Sequence, residues 1–219
     1  MQRGNLIRIG GLAAIVGGVV YAAQGLLAPP LVRSLVPDDA APVGPVPGEE
    51  GIPPERMIPG GRIIEDIDIA SFVLLLLGAM AAIAALHALQ RGLYGPGAWE
   101  RYGLGVLTSL ASLVGVALIL VGDLGDVGGL RYQALAGLRP VAMNLFLIGL
   151  LVATIGILAL GIATIAARKL PWWCGAALLA GSPPIAFFLG PLLGVPWALV
   201  GYAIFRAAGR RTQKPSRVR

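Results

Sequence analysis

The side chains best able to do chemistry collect near the ends of apolar runs. Gln24, Asp68, Ser71, Asp123, Asp126, Arg139 and Asn144 all fall at or near what becomes the outer end of such a run. Carboxylates, a guanidinium and two amides at one depth would form an outward polar vestibule for a cation or a small polar ligand. The same residue types are also what a helical bundle uses as caps and interface pairs. Nothing in their spacing specifies ligand geometry, so capping is the simpler reading. His87 is the only histidine, one turn before Arg91, so no multi-histidine metal or haem site is available within one chain; it reads as an interfacial residue at a helix end. The single Cys174 lies in an apolar run and excludes an internal disulfide. Glu49-Glu50 superficially resembles the glutamates of intramembrane CAAX-type proteases but sits in a Pro-rich stretch without partner histidines. Phosphate-binding, G-x-S-x-G and H-E-x-x-H motifs are absent from the sequence. No cofactor is expected.

The elements that must position these groups are long apolar helices. Ile69 to Gln90 runs 22 residues without a charge between Asp68 and Arg91. At about 1.5 Å per residue this is roughly 33 Å, enough to cross a hydrocarbon core of about 30 Å. Uncharged runs elsewhere predict further spans, giving an all-α polytopic transmembrane bundle of six: about 9–28, 67–90, 102–122, 141–167, 171–189 and 192–207. Pro29-Pro30 is expected to end the first span, and Pro140 to open the fourth. The last apolar run, Leu170 to Phe205, has 36 residues and is too long for one crossing. A turn near Gly190-Pro191 divides it, and Pro183-Pro184 kinks the fifth span. Small residues four apart, as in Ala14/Gly18, predict close helix contact, and Thr108, Ser109 and Ser112 form a hydroxyl stripe suited to a helix neighbour.

Charge sets the direction. Cytoplasmic flanks collect Arg and Lys, and six crossings place 12 basic residues and Glu100 inside, with 5 basic and 10 acidic residues outside. Both termini are therefore expected in the cytoplasm. The first span is read as retained, because its uncharged run is longer than the roughly 7 to 15 residues of a signal-peptide core. Residues 1–208 form one transmembrane domain with a Pro-rich extracytoplasmic loop at 29–65, and 209–219 form a basic cytoplasmic tail.

Only 13% of the 219 residues are charged and 57% are hydrophobic, against roughly 25% charged in a typical soluble domain. The net charge of +6 lies in interhelical segments and the tail, so it marks topology and not a nucleic-acid face. The partners expected are the bilayer itself, anionic lipid at the basic tail, and a second copy or another membrane protein. No charged residue falls mid-span, which disfavours a carboxylate proton relay or a voltage sensor.

Arg8-Ile9-Gly10-Gly11-Leu12-Ala13-Ala14 at the first span and Trp197 to Arg206 at the last resemble a loose group of uncharacterised multi-pass bacterial membrane proteins. That resemblance implies span order and no catalytic residue. The expected function is a non-enzymatic structural or accessory protein of the cytoplasmic membrane. A small-solute or ion permease using the outer cluster is the alternative, and an intramembrane lipid enzyme ranks third.

Overall fold

The computed structural model describes residues 3–35, 61–94, 104–131, 133–168 and 170–212. Every regular element among them is helical: α1 (Arg3–Leu35), α2 (Gly61–Tyr94), α3 (Leu104–Arg131), a 3₁₀ turn (Gln133–Leu138), α4 (Arg139–Ala167), α5 (Trp172–Ala180), α6 (Pro183–Leu189), a second 3₁₀ turn (Gly190–Leu193) and α7 (Gly194–Thr212). Four stretches are long and apolar enough to cross a membrane: Gly4–Leu27, Asp66–Arg91, Gly105–Leu130 and Ala136–Ala167. The protein is thus a helical membrane protein. From Trp172 onward the chain is built of shorter pieces.

The distribution of side-chain size is that of a bundle in lipid. On α4 the buried positions include Ala142, Gly149, Ala153, Gly156, Gly161 and Thr164, while Leu151, Ile155 and Ile162 are 61–64% exposed. Water would penalise so large an exposed apolar surface. In hydrocarbon the arrangement is favourable, because small residues let backbones approach while large ones face the acyl chains.

The helices close on one another in the order α1, α2, α3, α4, α5, α7 and back to α1, with α2 and α7 also touching. Helix α1 uses two glycine faces to do this. A Cβ on Gly10 would lie 2.6 Å from the Ala81 carbonyl oxygen of α2. On its other face, a Cβ on Gly11 would lie 2.8 Å from the Gly201 oxygen, and Gly18 meets Gly194 one heptad away in the antiparallel sense. Glycines seven apart therefore carry the α1–α7 contact, a longer repeat than the four-residue spacing anticipated. The α3–α4 pair is antiparallel and equally close, with Gly115 against Ala153 and Gly156 against Ser112. The hydroxyls of Thr108, Ser109 and Ser112 donate to the carbonyls of Gly105, Gly105 and Thr108 in their own helix, so they pack against α4 without leaving a donor unpaired.

Several boundaries differ from expectation. Helix α1 continues through Pro29-Pro30 to Leu35; each proline removes one backbone donor, a loss that a long membrane helix tolerates. Helix α3 runs past Gly122 to Arg131, which puts Asp123 and Asp126 on a helix instead of in a loop. Gly122 and Gly125 do not break it because they are contact positions, with α4 atoms of Phe146 and Ala142 closely filling the space a Cβ would take. Pro140 does open α4, at its first turn. The fifth segment is interrupted at Gly181-Ser182, one step before Pro183-Pro184. There Gly181 N–H donates to Ala177 O at 2.8 Å, Ser182 N–H and Oγ donate to Leu179 O, and α6 starts at Pro183. Gly190 takes φ +51°, the left-handed turn that glycine adopts without a Cβ clash. The loop expected at 29–65 narrows accordingly, and 36–60 lie outside the described residues, as do Trp99 and most of the basic tail.

A polar link between α2 and α4 lies in the interior. Gln90 Nε2 of α2 donates to Thr164 Oγ1 of α4 at 3.0 Å, and Thr164 Oγ1 donates to Leu160 O. Both residues are almost fully buried. A cycle of Gln90→Met, Thr164→Val and the double variant, read by detergent-denaturant unfolding, should give a coupling of about 0.6 kcal/mol and no more than about 1.7 kcal/mol. The helix contact itself should weigh more. Gly115→Val, whose Cβ would sit 2.5 Å from Ala153 Cα, should cost about 1–3 kcal/mol or more in the same assay, whereas Gly137→Ala, with nothing within 4 Å, should leave unfolding unchanged.

Candidate functional site

The interruption at Gly181-Ser182 has a consequence for the bundle interior. Where α5 stops and α6 restarts, the wall facing α2, α3 and α4 is supplied by Gly181, Pro183 and Gly190 in place of a continuous row of side chains, and a cavity of about 290 Å³ remains. Its other walls are Phe72, Leu75, Leu76 and Ala79 of α2, Val116 and Ile119 of α3, Phe146, Leu150 and Ile157 of α4, Trp197 of α7 and Tyr21 of α1. Nearly all of this surface is carbon. The Tyr21 phenol is its one side-chain hydroxyl.

Two of the lining residues form an aromatic pair. The rings of Tyr21 and Phe72 are 6.0 Å apart between centroids and tilted by 50°. Two acids continue the lining stripes beyond them. Asp68 precedes Phe72 by four residues on α2, and Asp123 follows Ile119 by four on α3, so each stands about 6 Å further along the face of its helix that lines the cavity. Asp68 and Asp123 lie close enough to influence each other and Tyr21 electrostatically. Ser71 Oγ donates to the Asp68 carbonyl at 2.8 Å, which fixes this first turn of the span.

The rest of the expected cluster is distributed differently. Asp126 lies close to Asp123 but is engaged by Arg139, whose Nε donates to Oδ1 at 3.0 Å in a pair 46% and 36% exposed. This pair ties the end of α3 to the start of α4. Gln24 is half-buried one turn beyond Tyr21, and Asn144 is exposed on α4. Neither lines the cavity, and Asp68 and Asp123 also stand just outside its lining. Asp68 and Asp123 thus come together with Tyr21, Asp126 and Arg139 form a neighbouring ion pair, and Gln24 and Asn144 stand apart from the cavity wall. His87 is half-buried on α2 near its Arg91 end, and Cys174 is fully buried in α5. Glu49 and Glu50 lie outside the described residues. No group of three or more potential metal ligands occurs among the described residues.

The acids are legible in the amino-acid sequence, whereas the cavity arises only from the packing of separate helices. The signal for it was present in Gly181-Ser182-Pro183-Pro184, four residues that interrupt an otherwise continuous apolar run. An interrupted helix inside a bundle takes side chains away from the centre. The chain matches no family model, no curated protein and no solved structure.

Proposed function

We propose that this is a six-crossing integral protein of the bacterial cytoplasmic membrane with both termini inside, acting without catalysis as an accessory protein that holds an apolar molecule. The observation that supports the binding role is the cavity wall. Aliphatic and aromatic carbon drawn from nearly every helix offers shape and apolar surface to a ligand, with orientation left to a few polar groups at one end. The crossing count rests on the turn at Gly190 and on the steep asymmetry of basic residues between the two ends. The basic tail then lies at the inner surface, where it attracts anionic headgroups, and the exposed apolar faces contact lipid, a second copy or another membrane protein. A small-solute permease is the second reading, favoured by the convergence of Asp68 and Asp123 beside Tyr21.

Topology is tested with single cysteines in a Cys174→Ala background. Leu192→Cys should react with a membrane-impermeant maleimide on intact cells, whereas Arg206→Cys should react only after permeabilisation; labelling of both from one side would overturn the six-crossing arrangement. Function is tested by thermal unfolding in nanodiscs. Decanol should raise the melting temperature of wild type and leave that of Ala79→Leu, which fills the cavity, unmoved. Stabilisation by an ion or a polar solute with no response to decanol would establish the permease reading instead.

A further inference from the structure

The size of the cavity and the two acids just beyond its lining bear on the class of ligand. We propose that its occupant is a single-chain alkylammonium amphiphile, with the tail between α2, α3 and α4 and the ammonium held between the Tyr21–Phe72 rings and the carboxylates of Asp68 and Asp123. This rests on the binding role proposed above and names its ligand class.

Three observations converge on that chemistry. The first is size. An apolar cavity of about 150 Å³ binds the six carbons of benzene, so one of 290 Å³ suits on the order of ten carbons, the scale of one medium-length chain. It also extends along the helices, since Phe72 to Ala79 on α2 spans about 10 Å. The second is the aromatic pair. Tyr21 and Phe72 both line the cavity, with ring centroids 6.0 Å apart, and an aromatic ring attracts a cation that lies within about 6 Å of its face.

The third is charge complementarity. Asp68 stands one turn beyond Phe72 and Asp123 one turn beyond Ile119, each continuing a lining face just outside the cavity, with Asp68 exposed and Asp123 half-buried, and neither has an ion-pair partner among the described residues. The neighbouring Asp126 is paired with Arg139, so that guanidinium is drawn to a different carboxylate. An anionic headgroup would meet two carboxylates at this end, and a neutral one would leave them without a counter-charge. A quaternary or primary ammonium satisfies both acids and the aromatic faces at once.

The test uses full-length protein in phosphatidylcholine nanodiscs and radiolabelled decyltrimethylammonium, with empty nanodiscs as the blank. Saturable binding at one site per chain is expected, displaced by decylamine but at least tenfold less effectively by decanol or decanesulfonate. Asp68→Asn combined with Asp123→Asn should weaken the cation at least tenfold and leave decanol-induced thermal stabilisation unchanged, which also shows that the variant is folded. Ala79→Leu should abolish binding of every decyl compound. Equal displacement by decanol and decanesulfonate, or an Asp-to-Asn pair that binds the cation like wild type, would overturn the ammonium proposal while leaving the binding role intact. Absence of saturable binding by any decyl compound would overturn both.

Discussion

Everything in this bundle depends on how helices adhere in a solvent as apolar as their own side chains. Hydrocarbon gives no hydrophobic drive for one span to join another, so association comes from backbones brought near enough for dispersion and weak polar contacts to accumulate. Glycine and alanine make that approach possible. Helix α1 shows the constraint most sharply, since Gly10 and Gly17 face α2 while Gly11 and Gly18 face α7. Two adjacent positions repeated at seven residues dock one helix to two neighbours. The α3–α4 pair repeats the device with Gly115, Gly122, Gly149 and Gly156. Large residues are displaced outward as a direct result, and the inside-out look of α4 follows from it.

Close approach everywhere would leave no room for a ligand. The bundle opens where Gly181-Ser182 ends α5 and the chain restarts at Pro183. The loss of helical continuity is compensated locally by hydrogen bonds to the carbonyls of Ala177 and Leu179. The broken element is also the shortest wall of the ring, so the space it vacates stays open to side chains from α2, α3 and α4. A tight scaffold and one loose wall are thus complementary parts of the same architecture.

Much of this was legible from residue types alone. Runs such as Ile69 to Gln90 announce their helices because charge-free length is a physical requirement of crossing a bilayer, and Pro140 marks a helix start because its missing N–H costs nothing there. The glycines were harder to interpret. Gly122 and Gly125 read as the beginning of a loop, yet they continue α3, because a glycine that ends a helix in water can serve as a packing surface in lipid. Pro29-Pro30 misled for a related reason: proline's preference against helix interiors is a local tendency, and α1 extends through it. The acids of the outer end were recognisable as residues, but their division into an engaged pair, Asp126 with Arg139, and two others beside Tyr21 depends on helical phase between separate segments. No local pattern encodes that phase.

The α1–α7 contact also dictates an order of assembly. Gly18 and Gly194 are 176 positions apart in the chain, so at about 5–20 residues per second of synthesis their meeting is delayed by roughly 10–35 s. The α3–α4 hairpin, by contrast, joins neighbours in sequence and can form as soon as both helices leave the insertion machinery. During the interval α1 presents a bare glycine face to lipid, and Trp197, which completes one wall of the cavity, has not arrived. The interior therefore begins as a groove more open to the bilayer and narrows when α7 docks, so a lipid-borne molecule has its widest access during biogenesis.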